Sequence, residues 1–370
     1  MLGAAVLGGA LASRWRSGSL ERCLEARSDN FLALRIVAAS MVIYGHAPAV
    51  SAAVVPHDVF WLATGIYSGD IALSIFFLVS GFLVSASYAR SRSALRFLWA
   101  RVVRLYPALV VHLVLMAFVV GLVMTLLPRK DYVFSPRVWH FLLQNLKLVS
   151  EQVWLLPGVF EAGHRSSVVN ASLWTLPAEA RMYLLLAAFG VLGFLRSAWL
   201  GYVALLAITI AMMWLPVDRT TLLLPEDWRW LAGYFALGVL AFLARRIVPI
   251  RIELVLAAIA AFILLRNHEL GRYAFALALA VSVFWLVYRT PQLRKLERYG
   301  DPSYGVYLWG WPIQQIVYHA IPGAGILAHV SIALTGALLL GYLSWHAIEK
   351  HALELKDLGF GRAGNGTRAG

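Results

Sequence analysis

The chain has almost no cysteine and little charge. Cys23 is the single cysteine among 370 residues, so the sequence excludes an internal disulfide and a cysteine-based metal site. Charged residues make up 14% of the chain, whereas hydrophobic residues make up 61%. A soluble protein with this balance would expose too much apolar surface to water. The composition therefore predicts an integral membrane protein.

Several motifs of soluble enzymes are also missing. The sequence has no glycine-rich phosphate loop, no nucleophile elbow and no pair of metal ligands at a convincing spacing. His346, Glu349 and His351 imitate a metal pair, but a solvated cluster at the membrane interface explains them better. No internal repeat and no low-complexity linker is visible. We therefore expect no metal and no second folded domain.

Long apolar runs dominate the sequence instead. A helix needs roughly 17 to 25 apolar residues to cross a bilayer. We predict an all-α fold, a polytopic bundle of about ten transmembrane helices, at approximately residues 31–50, 71–89, 106–127, 173–195, 197–216, 228–246, 250–266, 272–289, 303–321 and 326–349. The expected divisions are a cytoplasmic amino-terminal segment, a transmembrane domain, an outer loop within it that carries an amphipathic segment, and a cytoplasmic tail: 1–30, 31–350, 128–172 and 351–370.

The net charge of +13 is concentrated in short loops between the apolar runs. The basic residues fall in alternate loops, which the positive-inside rule assigns to the cytoplasm. This pattern favours acidic lipid headgroups and anionic ligands over nucleic acid as partners. It predicts a bacterial cytoplasmic (inner) membrane protein with both termini inside. The residues that carry the pattern are Arg14, Arg16, Arg22, Arg27, Arg90, Arg92, Arg96, Arg101, Arg104, Arg245, Arg246, Arg251, Arg289, Arg294, Lys295 and Arg298.

Two ionisable residues interrupt the first apolar run. Arg35 and His46 are eleven residues apart, which places them on one face of a helix and roughly 16 Å apart along its axis. Arg35 alone could reach the inner headgroups, and His46 could be a packed histidine. A polar pair on one face is more typical of a lined path or site. Histidine is also the side chain best suited to exchange a proton near neutral pH.

The second and third runs combine small residues with arginines. Ser80, Gly81 and Ser85 give the second run a narrow face on which another helix can pack closely. Arg101 and Arg104 lie three residues apart, just before the third run, so we expect them near its amino terminus. Free backbone amides and two guanidiniums there would hold a phosphate. The alternative is that the two arginines only anchor the helix at the cytoplasmic face of the membrane.

The fourth run begins with an acid. Pro177 marks the expected helix start, which places Glu179 in the first turn and Tyr183 one turn further. An acid is favoured there by the helix dipole alone. In the predicted topology Glu179 lies at the depth of His46, so its carboxylate could orient or charge the imidazole.

The ninth run carries an aromatic stripe. Tyr304, Tyr307, Trp311 and Tyr318 recur at helical spacing, with a glutamine at mid-depth that is either Gln314 or Gln315. Anchoring at the membrane interface accounts for one or two of these aromatic residues. The glutamine favours the lining of a cavity.

These clusters occur in an order that resembles the membrane acyltransferases of family three, and the resemblance covers nearly the whole membrane region. The matching motifs are Arg35 and His46, Phe76 and Phe77 with Ser80 to Phe82, Arg101 and Arg104 with Pro107, Ser172 and Trp174 with Glu179 and Tyr183, Tyr304 and Tyr307 with Trp309, Trp311 and Pro312, and Ile348 to Lys350. The resemblance implies a ten-helix O-acyltransferase. Its donor would be cytoplasmic acyl-coenzyme A, most often acetyl, and its acceptor a hydroxyl of a glycan, exopolysaccharide or lipid-linked sugar.

One position departs from that family. Its members commonly have histidine between the two tryptophans of the ninth-helix motif, where this chain has Gly310. His46 is then left as the main proton carrier. Some members also carry a soluble carboxy-terminal hydrolase-like domain, and we expect the stand-alone type here.

The site hypothesis follows from these residues. We predict His46 and Glu179 as catalytic. The acyl-coenzyme A donor is assigned to Arg35, Ser80, Arg101 and Arg104, and the acceptor to Trp174, Tyr183, Tyr304, Tyr307, Trp311 and Gln314. Two alternatives remain: a proton-coupled transporter of an anionic small molecule that uses Arg35, His46 and Glu179, and a scaffold for glycan assembly in which His46 is dispensable.

Overall fold

The computed structural model describes residues 19–26, 29–51, 58–91, 93–149, 151–161, 167–214 and 225–358. Most of the predicted amino-terminal segment, part of the outer loop and the end of the predicted tail lie outside these ranges. In the described part of the chain β-structure is limited to two isolated bridges, Ser19 with Pro249 and Thr125 with Val159. The all-α prediction is therefore confirmed for these residues.

Sixteen α-helices follow one another in the described ranges. They are α1 Leu20–Ala26, α2 Phe31–Val50, α3 Val59–Thr64, α4 Ser68–Ser91, α5 Ala94–Leu115, α6 Gly121–Met124, α7 Arg129–Val133, α8 Pro136–Leu146, α9 Leu176–Val191, α10 Ala198–Trp214, α11 Arg229–Leu243, α12 Ile252–Leu265, α13 Gly271–Arg289, α14 Ser303–Ala320, α15 Ile326–Ser344 and α16 Lys350–Glu354. A π-helical turn, Met116–Val120, joins α5 to α6, and a second, Trp345–Glu349, joins α15 to α16. Short 3₁₀ helices cover Ala171–Thr175, Glu226–Trp228, Pro291–Tyr299 and Leu355–Asp357.

Each of the ten predicted apolar runs overlaps a helix, but fewer qualify as membrane spans. Five stretches are long and apolar enough to cross a bilayer: α2, α4, Ala94–Met124, α13 and Ile326–Asp357. Three other apolar helices are shorter, namely Ala198–Ala211, α11 and α12. The structure supports a membrane protein, while the count of ten spans and the side of the termini stay predictions.

The chain divides into two compact units. The first falls within residues 1–45, 57–86 and 193–299, and the second within 46–56, 87–192 and 300–370. Helix α2 belongs to the first unit up to Gly45 and to the second from His46.

Close helix packing defines the first unit. A Cβ atom added to Gly81 of α4 would lie 2.1 Å from the Phe235 carbonyl oxygen of α11, and one added to Gly238 would lie 2.1 Å from the Leu78 carbonyl oxygen. Only glycine permits backbones to approach this closely. The narrow face predicted on the second run is confirmed.

Asp58 organises the turn between α3 and α4 in the same unit. Its carboxylate accepts from the backbone N–H of Trp61 and of Ser68, each at 2.7 Å. Burial would raise the pKa of Asp58, but these hydrogen bonds outweigh it and lower the pKa below its usual value. Asp58 therefore caps α3 as a carboxylate.

The second unit contains α5, α9, α14 and α15 with the outer loop. In that loop α8 buries Val138, Phe141 and Leu142 on one face, as the predicted amphipathic segment requires. Helix α9 begins at Leu176 with Pro177 in its first turn, so that start is confirmed.

Helix α5 begins earlier than predicted. It starts at Ala94, with Ser93 as its N-cap, so Arg101, Arg104 and Pro107 lie inside the helix. The expectation that the two arginines sit beside the free amides of a helix amino terminus is wrong. The segment 94–105 is too basic to be recognised as part of a span by hydropathy, yet it is helical and continuous with the apolar run.

Candidate active site

One end of the second unit is organised around Arg104. Its Nη1 lies 3.0 Å from Glu349 Oε2, and its Nη2 lies 2.9 Å from Asp301 Oδ2. Ser344 donates to the other oxygen of Glu349 at 2.9 Å, and Ser303 donates to Asp301. The guanidinium thus joins α5 to the start of α14 and to the π-helical turn after α15, and two carboxylates neutralise it.

Glu349 is buried, with 2% of its surface exposed. The prediction that it belongs to a solvated interfacial cluster is therefore wrong for Glu349, although His346 and His351 are exposed. The ion pair with Arg104 explains the difference, because a carboxylate is removed from water only when a partner compensates it.

Arg101 has a different environment from Arg104. Its guanidinium lies 5.7 Å from the ring centres of Phe97 and Tyr183. Its Nη2 is 3.5 Å from Ser87 Oγ, and its buried Nε has no hydrogen-bond partner. Within the described ranges Arg101 forms no ion pair, so it retains donors that an anion can use.

Glu179 lies with the arginines. Its carboxylate accepts a hydrogen bond from Tyr183, one turn further along α9, and the charges of Arg104 and Arg101 act on it. No hydrogen bond or ion pair joins Glu179 to His46, both of which are described. The structure therefore brings Glu179 together with Tyr183 and the arginines, rather than with the imidazole. We call this set, with Asp301 and Glu349, the arginine end.

Two tyrosines of the aromatic stripe form hydrogen bonds to neighbouring elements. Tyr304 donates to the Leu105 carbonyl of α5 at 3.1 Å. Tyr307 donates to the Ser172 carbonyl at 2.8 Å, and its hydroxyl lies 2.5 Å from that of Thr175. The 3₁₀ helix that contains these two residues also carries Trp174, which is half-buried.

His46 lies further along the same stripe. Its ring packs edge-on against Trp311, with 4.9 Å between centres and 79° between planes. The Trp311 indole N–H donates to the Val168 carbonyl at 2.8 Å, which fixes the indole. The Nδ1 atom of His46 is buried and has no hydrogen-bond partner among the residues that the structure describes.

Gln314 is the second unpartnered group there. It is 0% exposed, and within the described ranges neither its amide nitrogen nor its amide oxygen has a hydrogen-bond partner. Its neighbour Gln315 donates to the Val168 carbonyl at 2.9 Å. A buried polar group without a partner costs about 1–3 kcal/mol. We call His46, Trp311 and Gln314 the histidine end, where buried polar atoms of His46 and Gln314 have no partner in the described part of the chain.

Arg35 and Ser80 belong to the first unit. Arg35 shares the continuous helix α2 with His46, and its charge acts on Asp29. The hydroxyl of Ser80 is buried without a partner. Their assignment to the acyl donor stays a prediction.

Sequence reasoning missed two polar residues of the second unit. The side-chain nitrogen of Asn170 lies 2.9 Å from His112 Nε2 and 2.9 Å from the Leu308 carbonyl oxygen. Both residues are buried. Two sequence signals could have identified the contact between Asn170 and Leu308. Asn170 directly precedes the ASLWT segment. Pro312 lies four residues after Leu308 and so leaves the Leu308 carbonyl without its helical donor. In the part of the chain that the structure describes, no three His, Cys, Asp or Glu side chains cluster as a metal site would require.

Comparison with known proteins found similar sequences. The chain is similar to a protein named O-acetyl transferase from Shigella phage Sf6, with 26% identity over 88% of this chain and 96% of that protein. It is also similar to nodulation protein 10 of Rhizobium leguminosarum bv. viciae, with 28% identity over 89% of this chain and 94% of that protein. No solved structure matches the chain. The profile of the acyltransferase domain matches residues 29–346, which is most of the chain, and the chain therefore belongs to acyltransferase family 3.

Proposed function

We propose that this acyltransferase moves an acetyl group from cytoplasmic acyl-coenzyme A to a hydroxyl of a glycan, exopolysaccharide or lipid-linked sugar, with His46 at the reacting centre. The name of the phage relative supports acetyl and oxygen as the group and the acceptor atom. The family resemblance supports the coenzyme A donor, the sugar acceptor and a location in the bacterial inner membrane. The apolar helices support a reaction that takes place within a membrane protein.

The observation that carries the proposal is the buried, unpartnered Nδ1 of His46. A general base needs a nitrogen lone pair that no other group occupies, together with a fixed ring. The edge of Trp311 restrains the ring at 4.9 Å. Ring nitrogens of His112, His319 and His329 are also buried without a partner among the described residues, and His46 is preferred because it lies in the arginine–histidine motif of the family resemblance.

The chemistry can proceed in either of two ways. In direct transfer, His46 takes the proton of the acceptor hydroxyl, the oxygen attacks the thioester carbonyl, and the carbon–sulfur bond breaks. The imidazolium then returns its proton to the thiolate of coenzyme A. In the two-step route, the imidazole attacks the thioester first, coenzyme A leaves as the thiol, and the acceptor hydroxyl takes the acetyl group from the imidazole.

We assign the phosphates of coenzyme A to Arg101, because its donors are not committed to a carboxylate. Arg104 holds Asp301 and Glu349 and so keeps the donor site in shape. Arg35 and Ser80 are proposed as further residues that bind the donor. Glu179 interacts electrostatically with the two guanidiniums and accepts a hydrogen bond from Tyr183. It is therefore not assigned to orient the imidazole directly.

The acceptor is assigned to the histidine end and its surroundings. Gln314 offers one donor and one acceptor to a hydroxyl group, which suits a polyhydroxylated substrate. Trp311 and the half-buried Trp174 provide faces against which a sugar ring can pack. Tyr304 and Tyr307 support this region through their hydrogen bonds to α5 and to residues 172 and 175.

The test is replacement of His46 by alanine. Acetyl transfer should fall by roughly 10²–10⁴-fold, the usual contribution of a general base, while the protein remains folded in the membrane. His140 on the exposed side of α8 provides the matched control, and His140→Ala should keep wild-type activity. Full activity of His46→Ala would refute the proposal.

The acceptor can be identified in cells. Mass spectrometry of surface glycans should detect acetyl groups that disappear when the gene is deleted and return with the wild-type gene, but not with His46→Ala. Unchanged acetylation of all glycans and glycolipids after deletion would refute the proposed acceptor class. The role of His46 would then be tested by the activity of purified His46→Ala alone.

A further inference from the structure

A proline breaks the hydrogen-bond ladder of α14 close to the candidate site. Pro312 has no backbone N–H, so the carbonyl of Leu308, four residues earlier, lacks its helical donor. Asn170 donates to that carbonyl at 2.9 Å and so replaces the missing bond. An unsatisfied carbonyl at a buried position would otherwise be costly.

The orientation of the Asn170 amide follows from its partners. Its oxygen accepts the backbone N–H of Ser172 at 2.9 Å, so its nitrogen faces the Leu308 carbonyl and His112. Since both hydrogens of that nitrogen are donors, the Nε2 atom of His112 must accept, and the imidazole is neutral with its proton on Nδ1. The His112 ring also packs edge-on against Trp309 at 4.6 Å.

The same short segment contacts the indole that restrains His46. Val168, two residues before Asn170, accepts from the Trp311 indole and from Gln315 through a single carbonyl. The position of Val168 therefore depends on where Asn170 is held. Trp311 in turn packs against His46 at 4.9 Å.

We propose that Asn170 positions Trp311 and thereby His46. Asn170 is itself held between His112 and the Leu308 carbonyl that Pro312 leaves free. We call these contacts of Asn170 the latch. Asn170 and His112 are assigned as positioning residues, because no hydrogen bond or ring contact joins either of them to His46 in the described part of the chain. The relevance of the latch to catalysis rests on the proposed role of His46, but its effect on the environment of His46 can be measured without any acyl transfer.

The experiment measures the rate at which diethyl pyrocarbonate modifies His46 in the purified full-length protein, read by peptide mass spectrometry. Asn170→Asp keeps the oxygen that accepts from Ser172 but loses both donated hydrogens. It should change the modification rate of His46 by roughly fivefold, the factor equivalent to about 1 kcal/mol of one net hydrogen bond. The kcat of acetyl-coenzyme A turnover should fall by a similar factor, with the KM for acetyl-coenzyme A unchanged.

Matched variants separate positioning from general damage. Asn145 is also buried and bonds to the Val153 carbonyl at 2.9 Å in the same predicted outer loop, and among the described residues no hydrogen bond joins its side chain to α14. Asn145→Asp should leave the modification rate and kcat unchanged. His112→Gln retains an acceptor for Asn170 and should resemble wild type, whereas His112→Leu should resemble Asn170→Asp.

Pro312→Ala provides the sharpest check. An alanine at this position supplies the missing N–H to Leu308, so Asn170→Asp should have a smaller effect in that background than in the wild type. The proposal is overturned if Asn170→Asp and His112→Leu leave His46 modification unchanged, or if Asn145→Asp changes it equally. If His46→Ala keeps full activity while these rates still shift, the latch stands and the proposed function of His46 fails.

Discussion

The arginine end and the histidine end of the second unit contrast in how their polar atoms are satisfied. At the arginine end, Arg104 engages two carboxylates, and both carboxylates accept further hydrogen bonds from serines. At the histidine end, His46 and Gln314 bury polar atoms that have no partner. Because a buried polar atom is costly unless paired, the first end is suited to hold the fold and the second to bind a ligand.

Arg101 lies at the arginine end, but like the residues of the histidine end it has a buried polar atom without a hydrogen-bond partner among the described residues. Its guanidinium rests on aromatic rings, and its Nε is unpartnered. On the proposed assignment, two arginines three residues apart have separate tasks: Arg104 supports the fold, and Arg101 binds an anion.

Among the variants that test the contrast between the two ends, Arg104→Ala should have the largest effect, which is a loss of stability. It removes the ion-pair partner of the buried Glu349, and removal of one partner of a buried ion pair costs about 3 kcal/mol at the lower end of its range. Denaturant unfolding of the purified protein in detergent measures this loss. Adding Glu349→Gln to Arg104→Ala should restore part of the stability. An equal loss in Arg101→Ala would show that the two arginines do not differ.

Arg101→Ala should weaken donor binding rather than stability. Loss of a hydrogen bond to a charged group costs about 1.5 kcal/mol, so the KM for acetyl-coenzyme A should rise roughly tenfold with kcat nearly unchanged. Arg101→Lys keeps the charge but not the planar fork, and it should give an intermediate KM. A fall in kcat at unchanged KM would contradict the assignment.

Gln314→Leu should separate stability from activity. It removes two unpaired buried atoms, so the free energy of unfolding should stay the same or rise by about 1 kcal/mol, while acetyl transfer to the acceptor falls. Gln315→Leu is the matched control, because it breaks the bond to the Val168 carbonyl and should lower stability. Lower stability in Gln314→Leu would mean that its amide is already satisfied.

Ser344→Ala gives the smallest expected change. It removes one hydrogen bond to Glu349 and should lower the free energy of unfolding by about 1 kcal/mol without a change in activity. Thr335→Ala, at an exposed hydroxyl that bonds only within its own helix, is the reference and should leave the unfolding midpoint in place. Equal midpoints for the two variants would place Glu349 outside the structural network.

Apolar periodicity was sufficient to locate the helices, but not their polar extensions. The runs that begin near residues 31, 272 and 326 match α2, α13 and α15 closely, because hydropathy determines where a helix can be buried in a bilayer. The start of α5 at Ala94 escaped the same reasoning, since its first turns are basic. Those turns are held by partners distant in sequence, as when Arg96 pairs with Asp357 at 2.5 Å.

Residue type and spacing did not determine which of the predicted site residues contact each other. His46 and Trp311 were both singled out, and the structure packs them together. The pairing of Glu179 with His46 was inferred from equal depth, and depth alone does not determine which neighbour a carboxylate meets. The choice between Gln314 and Gln315 needed the Val168 carbonyl, which lies about 145 residues away along the chain and bonds Gln315.

The sequence by itself determined the class of this protein: a helical membrane acyltransferase, read from long apolar runs and an ordered set of motifs. Hydrophobic burial and helical spacing are local properties, so they can be read residue by residue. Only the tertiary structure decided which polar groups are neutralised and which stay available. That division depends on contacts between distant segments, such as Arg104 with Glu349 and Asn170 with the carbonyl freed by Pro312.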